Sequence, residues 1–167
     1  MSKIEPIEAN LDPVRESVRV TTSLEETFQL FTDGIASWWP VERYSVSQER
    51  TRNVVLEPRV GGALFEVSDD GQTFPWGEVL VWEPPRCLVL SWHPGREPDV
   101  AQKVEVRFTT EGSGTKVDLE HSDWARLGED ALKVRESYSG GWAVVLGKHF
   151  IDACATNRVD GGAGRTA

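Results

Sequence analysis

The stretch SGGWAVVLGKHF at residues 139–150 lies in the strongest helical pattern of the chain. When residues 129–156 are placed about 100° apart around a helix axis, the apolar side chains fall in one stripe and Lys133, Glu136 and Lys148 lie opposite. The stripe consists of Ala131, Tyr138, Trp142, Val145, Leu146, His149 and Ala153. At about 1.5 Å per residue this helix is roughly 42 Å long, which exceeds a typical strand. We therefore predict a C-terminal helix that crosses a whole sheet, and a sheet that curves to meet it.

Three glycines interrupt this pattern, although each costs about 0.5–1 kcal/mol relative to alanine inside a helix. Gly141 lies on the flank of the apolar stripe, where a missing side chain allows a neighbouring backbone to approach. Gly140 and Gly147 point away from the stripe, so close packing does not explain them. Two interpretations of Gly140 are open: a bend that follows the curvature of the sheet, or a frayed start with the ordered helix beginning near Ser139.

The first part of the chain predicts one strand followed by two short helices. Residues 14–21 alternate as a strand. Ser23 and Glu26 have the spacing of a capping box, so we expect a helix to begin there. Gly34 is expected to split the helical pattern that follows, and Pro40 to close the second helix. The apolar positions of this pattern are Phe28, Phe31, Ile35, Trp38 and Trp39.

The middle of the chain predicts an antiparallel meander. Turn signals rich in glycine and proline separate successive short apolar runs. Short turns join antiparallel neighbours, and such a sheet places one face on a core. The predicted strands are 54–56, 63–68, 76–83, 87–93, 100–110 and 115–121.

Composition and charge exclude several classes of protein. The net charge of −9 lacks the basic footprint of a nucleic-acid binder and disfavours an anionic membrane surface. No apolar run approaches the roughly 20 residues of a membrane span, and no signal peptide is evident. Cys87 and Cys154 have no metal-ligand or redox spacing, so we expect reduced core thiols in a cytoplasmic protein. We expect an N-terminal extension over 1–13, one domain over 14–156 and a flexible tail over 157–167.

Five pieces of the sequence carry a family resemblance. They are FTDGIASWWP at 31–40, EPRVGG at 57–62, GEVLVWEPPRCLVLSW at 77–92, LEHSDW at 119–124 and SGGWAVVL at 139–146. In this order they resemble the START-like (SRPBCC) superfamily, and within it the AHSA-type domains related to the activator of the heat-shock-protein-ninety ATPase. The resemblance implies an α+β helix-grip fold, with two short helices after the first strand and a curved antiparallel sheet wrapped around the long C-terminal helix.

The resemblance also implies an elongated cavity between sheet and helix. Superfamily members bind lipids, hormones, polyketides or other apolar molecules there, and some catalyse cyclisation or dehydration. The eukaryotic chaperone activators instead contact a chaperone. Function rests on the site and not on the fold, so three hypotheses follow. The first is a binding module for a small apolar, aromatic or lipid-like ligand. The second is a cyclase or dehydratase acting on an aromatic or polyketide-like substrate, and the third is a domain that binds a protein partner.

The side chains expected to line this cavity are mostly aromatic, as in many small-molecule pockets. Trp39, Trp76 and Trp124 fall at the ends of elements, whereas Trp92 and Trp142 lie on the apolar faces of a strand and the helix. Packing in the core is the alternative for all five rings. The complete set of candidate ligand-binding residues is Trp39, Trp76, Trp92, His121, Trp124, Arg135, Tyr138 and Trp142.

The polar candidates have more specific roles. Strand alternation points His121 inward, where it could bind a ligand carbonyl, act as acid or base, or simply be a hydrogen-bonded core histidine. Arg135 lies on the inward stripe one turn before Tyr138, where it could meet an anionic group or be solvated. In the enzyme hypothesis Tyr138 or Arg135 would orient the substrate. The strand pattern leaves the facing of Glu66 and Glu78 open.

Known catalytic signatures are missing from the sequence. It contains no phosphate-binding loop, no HExxH motif and no nucleophile elbow. We therefore expect no metal and no cofactor, and we name no catalytic residue. Both a monomer and a homodimer are compatible with the sequence.

Overall fold

The structure is a computed structural model that describes residues 11–156. Most of the expected N-terminal extension, residues 1–10, and the whole of the expected tail, residues 157–167, lie outside the described residues. The strands are β1 (Val14–Val20), β2 (Thr51–Leu56), β3 (Ala63–Ser68), β4 (Thr73–Glu83), β5 (Cys87–Trp92), β6 (Gln102–Glu111) and β7 (Gly114–Ser122). Within residues 11–156 they form one antiparallel sheet in the order β1-β7-β6-β5-β4-β3-β2. The predicted meander is confirmed.

Irregularities in the strand pairing curl the sheet. The register shifts between β3 and β4 at Leu64/Phe65, and between β4 and β5 at Val79/Val81. Such bulges bend a strand and increase its twist. Gly77 lies between these two shifts, and a Cβ atom there would stand 1.8 Å from the carbonyl oxygen of Ser91. Only glycine therefore allows the backbones of β4 and β5 to approach this closely.

Of the two short helices expected after β1, the first is a helix and the second is only a turn. Helix α1 spans Leu24–Thr32, and Ser23 and Glu26 form the predicted capping box, with N–H to side-chain distances of 3.2 and 3.3 Å. The second predicted helix is only a 3₁₀ turn, Ile35–Ser37. Two further 3₁₀ turns, Gln48–Arg50 and Pro98–Val100, lie in segments for which the sequence predicted no helix.

The C-terminal helix runs across the concave face of the sheet. A 3₁₀ segment (Trp124–Asp130) leads into helix α2 (Ala131–Val144), a π-helical stretch (Val145–Phe150) and a last helical segment, 151–156. The frayed-start interpretation of Gly140 is wrong, because the ordered helix begins at Ala131. The helix is regular through Gly140, and its irregularity lies at the π-helical stretch that contains Gly147.

The helix and the inner face of the sheet share one core. Trp142, Leu146 and Phe150 of the helix are at most 2 % exposed, and they belong to the same buried cluster as Val106 and Leu119 of the sheet. The architecture is therefore the expected helix-grip fold. None of the helices in residues 11–156 has the length and apolar character needed to cross a bilayer.

Candidate functional site

An open cleft of about 560 Å³ lies beside the C-terminal helix. One wall is the segment from Trp39 to Val46, the second is the end of β5 with the turn that follows, and the third is the helix from Asp130 to Val145. This volume is within the range of small-molecule sites, roughly 300–1,000 Å³. A second depression of about 540 Å³ over β4 and β5 has no Trp, Tyr or Phe side chain in its lining. The cleft is therefore the better candidate for a site that binds an aromatic molecule.

Aromatic rings form the floor of the cleft. The ring centroids of Trp39, Trp92 and Trp142 lie 5.4–5.9 Å from one another. Tyr138 stacks on Trp142 with centroids 6.2 Å apart. The three indoles are 2–7 % exposed, so they belong to the core and present only a small part of their surface to the cleft. The volume expected between sheet and helix is largely filled by these rings, and the open space lies at their margin.

Tyr138 offers a hydrogen-bond donor to the cleft. Its hydroxyl accepts a hydrogen bond of 3.0 Å from Trp92 Nε1, which is its only hydrogen bond within residues 11–156. The phenolic proton is therefore not used by the described part of the protein. Burial raises the pKa of Tyr138, although the hydrogen bond from Trp92 offsets part of the rise. The side chain is thus a neutral donor in the ordinary pH range.

His121 lies behind this floor and not in the cleft. Trp142 Nε1 donates to its Nδ1 at 3.0 Å, and its Nε2 lies 3.2 Å from Gln102 Oε1. The first contact makes Nδ1 an acceptor, so Nε2 carries the proton of the neutral tautomer. Burial lowers the pKa of His121 to about 3. The inward orientation was predicted correctly, and both ring nitrogens are occupied by other side chains.

The remaining candidates also lie away from the cleft. Trp76 and Trp124 are at most 1 % exposed; Trp76 packs under Trp39 with centroids 5.3 Å apart, and Trp124 stacks on His121 at 4.0 Å. Arg135 turns to the N-terminal side, where its Nε donates to the Asp12 carbonyl at 2.6 Å. Four of the eight candidates line the cleft, namely Trp39, Trp92, Tyr138 and Trp142. Their contact with a ligand stays a prediction.

Glu66 fixes the wall of the cleft opposite the helix. The side chain is fully buried, and its carboxylate accepts hydrogen bonds from the N–H groups of Val46 (2.8 Å) and Ser47 (2.6 Å). The Ser47 hydroxyl and the Trp76 indole donate as well, at 2.6 and 2.5 Å. Burial acts to raise the pKa of Glu66, but these hydrogen bonds together lower it. The strand pattern left the orientation of two glutamates open. In the structure the Glu66 side chain points inward and the Glu78 side chain is exposed.

Sequence reasoning missed the residues at the rim of the cleft. Arg43, Tyr44, Arg96 and Lys133 line it, and none of them was a candidate. One signal was available for Tyr44: Gly141 on the flank of the stripe indicated a close neighbour, and a Cβ atom there would lie 3.3 Å from the Tyr44 ring. The helical pattern predicts Lys133 opposite the apolar stripe. The cleft, however, lies along the flank of the helix, and the long side chain of Lys133 reaches that flank.

Groups that could support other chemistry are few in the described chain. Residues 11–156 contain no cluster of three or more His, Cys, Asp or Glu side chains arranged to hold a metal ion. Trp38 and Trp39 are 6 % and 7 % exposed. An exposed apolar patch at these two residues, which would have favoured a chaperone-binding role, is therefore missing.

Comparisons with solved structures agree with this architecture. The chain is 35% identical to Txn09, an anthrahydroquino-γ-pyrone synthase solved with the compound SUM, over 77% of this chain and 87% of that one, with a TM-score of 0.55. It is 22% identical to CalU16 from Micromonospora echinospora, over 92% and 84% of the two chains (TM-score 0.56). It is 16% identical to the Aha1 dimer from Colwellia psychrerythraea, over 81% and 98% (TM-score 0.54). The last two show the fold alone.

The family assignment rests on a match to a family model. No curated protein matches the chain. The family model described as "Activator of Hsp90 ATPase homolog 1-like protein" matches residues 21–152, from the end of β1 into the last helical segment. The match therefore includes the capping box, the whole meander and the helix that lines the cleft. The chain belongs to the family of activator of Hsp90 ATPase homolog 1-like proteins.

Proposed function

We propose that this protein binds a small aromatic molecule in the cleft beside its C-terminal helix. The observation that carries the proposal is the composition of the cleft. It is an open volume of about 560 Å³ with aromatic rings as its floor and a phenolic donor, Tyr138, that residues 11–156 leave unused. Apolar walls with a few placed polar groups are typical of small-molecule sites. The relative that is 35% identical carries the name of a synthase whose product is aromatic, which supports the same ligand class.

A pair of neighbouring glycines provides the test. Gly141 lines the cleft, whereas Gly140 is exposed and a Cβ atom added there would meet no other part of the protein within 4 Å. We expect Gly141→Leu to raise the Kd of a planar aromatic probe such as anthraquinone-2-carboxylate at least tenfold, because the new side chain occupies the cleft. Quenching of the tryptophan fluorescence of the protein measures binding, because Trp39, Trp92 and Trp142 line the cleft.

Gly140→Leu is the matched control, and its Kd is expected to stay within about twofold of the wild-type value. Circular dichroism establishes that both variants are folded. Equal binding by a folded Gly141→Leu variant, or no binding of any planar aromatic probe by the wild-type protein, would contradict the proposal.

A second candidate function is catalysis of ring closure, favoured by the identity to the γ-pyrone synthase. In this candidate a phenol oxygen of the substrate attacks a ketone carbon while Tyr138 donates its hydrogen bond to the ketone oxygen. The phenol proton passes to that oxygen, and the resulting hydroxyl leaves as water together with a hydrogen of the adjacent carbon, which forms the ring double bond. His121 is not available for this step because both of its nitrogens are occupied.

Conversion of o-hydroxydibenzoylmethane to flavone, with loss of one water, is a suitable assay of this candidate. We expect Tyr138→Phe to lower the rate by roughly 100-fold or more, in the range of general acid catalysis, while the Kd of anthraquinone-2-carboxylate changes far less. Absence of acceleration by the wild-type protein, or full activity of Tyr138→Phe, would exclude this role of Tyr138.

A further inference from the structure

The cleft carries a positive charge excess in a strongly acidic protein. The chain has a net charge of −9. The charged residues that line the cleft are nevertheless three cations, Arg43, Arg96 and Lys133, against one carboxylate, Asp130. Clefts lined by one sign of charge focus the electrostatic field and concentrate ligands of the opposite sign. The cleft therefore attracts anions, whereas the net negative charge of the chain as a whole repels them.

Two of these cations have no ionic partner among the residues that the structure describes. Arg96 pairs with Asp130 at an N–O distance of 3.4 Å. Arg43 and Lys133 form no ion pair with any carboxylate of residues 11–156, although acidic residues outnumber basic ones in the chain by 27 to 18. Unpaired cations beside an apolar floor are suited to an anionic group on a ligand that covers that floor.

The backbones that carry the cations are well held. The N–H groups of Arg43 and Tyr44 donate to the Pro40 carbonyl, and the Trp39 indole donates to the Tyr44 carbonyl at 2.7 Å. On the opposite wall, His93 Nδ1 lies 3.0 Å from the Arg96 carbonyl oxygen. These contacts hold the backbones at Arg43 and Arg96 without any ligand, so binding does not have to order these two loops.

The helix sets the distance along its axis between the charge of Lys133 and the phenolic donor of Tyr138. Lys133 and Tyr138 both line the cleft. Tyr138 is five positions after Lys133 on the helix, which corresponds to about 7.5 Å along the axis at about 1.5 Å per residue. Beyond Tyr138 the helix contributes Gly141, Trp142 and Val145, which are apolar. Polarity therefore decreases along the helix wall of the cleft, from Lys133 towards Trp142 and Val145.

We infer that the ligand is an aromatic acid, a ring system with an ionised oxygen group that Arg43 and Lys133 hold while the rings lie over Trp39, Trp92 and Trp142. A carbonyl or ether oxygen of the same ligand accepts the hydrogen bond of Tyr138. This inference rests on the proposed function and adds to it the charge of the ligand and its orientation in the cleft.

A comparison of two probes tests the inference. Anthraquinone-2-carboxylate and anthraquinone-2-carboxamide have the same rings, and only the first is ionised. We expect the carboxylate to bind about tenfold more tightly at low ionic strength, a difference of about 1.4 kcal/mol. The difference is expected to shrink as salt is added, since exposed charges are screened. Tryptophan fluorescence gives both Kd values.

Variants that neutralise charges show which residues cause the preference for the carboxylate. The double variant Arg43→Gln/Lys133→Gln is expected to bind the carboxylate only as tightly as the amide, and to leave the Kd of the amide unchanged. Arg86→Gln/Lys148→Gln is the matched control, because it removes the same charge from exposed residues that do not line the cleft. Its Kd for the carboxylate is expected to stay within about twofold of the wild-type value.

The possible failures are distinguishable. Equal affinity of the wild-type protein for the two probes, or equal losses in the two double variants, overturns the inferred anion site while binding of aromatic molecules stands. If neither probe binds at any salt concentration, both the proposed function and the inference are wrong.

Discussion

Replacing Glu66 by alanine is expected to lower the free energy of unfolding by about 3–5 kcal/mol. The substitution leaves the buried Trp76 indole and the part-buried N–H groups of Val46 and Ser47 without their acceptor, and an unsatisfied buried donor costs about 1–3 kcal/mol. These donors now share one carboxylate at 2.5–2.8 Å. Typical domains are stable by about 5–15 kcal/mol, so this loss is a large part of the total. Urea unfolding followed by circular dichroism measures it.

The variant should also weaken ligand binding, because Val46 lines the cleft and Glu66 holds its backbone. Glu78→Ala, an exposed change on the neighbouring strand β4, is the matched control and is expected to cost less than about 0.5 kcal/mol. Glu66→Gln retains one side-chain acceptor and should fall between the two. If Glu66→Ala and Glu78→Ala unfold at the same urea concentration, Glu66 does not have the role assigned to it here.

Acidification from pH 7 is expected to destabilise the protein through His121. Its pKa in the folded protein, about 3, lies below the ordinary value of 6.5, so the folded state keeps the imidazole neutral. The unfolded chain binds a proton below pH 6.5 and the folded protein does not. The stabilisation is therefore complete above pH 6.5 and is lost as the pH falls towards 3, by up to about 1.4 kcal/mol per pH unit. Urea unfolding at pH 7.0, 6.0 and 5.0 measures this slope.

Measurements above pH 5 distinguish the effect of His121 on stability from that of Glu66. The pKa of Glu66 is lowered from 4.5, so its contribution is present above that value and is lost only at lower pH. His121→Asn is expected to be less stable than the wild type at pH 7 and nearly independent of pH from 7 to 5. His149→Asn, on the C-terminal helix, is the control and should keep the wild-type slope. A slope in His121→Asn equal to that of the wild type would show that another group titrates.

The fold was predictable because its signals are local and repeated. Strand alternation, the capping box at Ser23 and the apolar stripe of the helix depend on neighbours in the sequence, and each survives in the structure. The features that were not predicted also have physical reasons. The second short helix is a 3₁₀ turn because only three residues separate Gly34 from Trp38. The register shifts between β3 and β4 and between β4 and β5 leave no signal in an alternation pattern.

The site was predictable only in part. Periodicity identified Trp92, Tyr138 and Trp142 as inward, but periodicity cannot tell the rings that fill a core from the rings at its open margin. Trp76 and Trp124 fill the core, and Trp39 reaches the margin. Arg43 and Arg96 lie in loops, where no period applies. The loop that carries Arg43 is anchored further along at Val46, whose N–H donates to Glu66, a residue distant in sequence. No periodic pattern predicts such a contact.

The most direct test of the central claim is a crystal structure of the protein grown with anthraquinone-2-carboxylate. We expect the rings of the compound over Trp39, Trp92 and Trp142, with one of its oxygens within hydrogen-bond distance of the Tyr138 hydroxyl. The carboxylate should face Arg43 and Lys133. A compound bound on the outer face of the sheet, or an empty cleft at saturating concentration, would contradict the account.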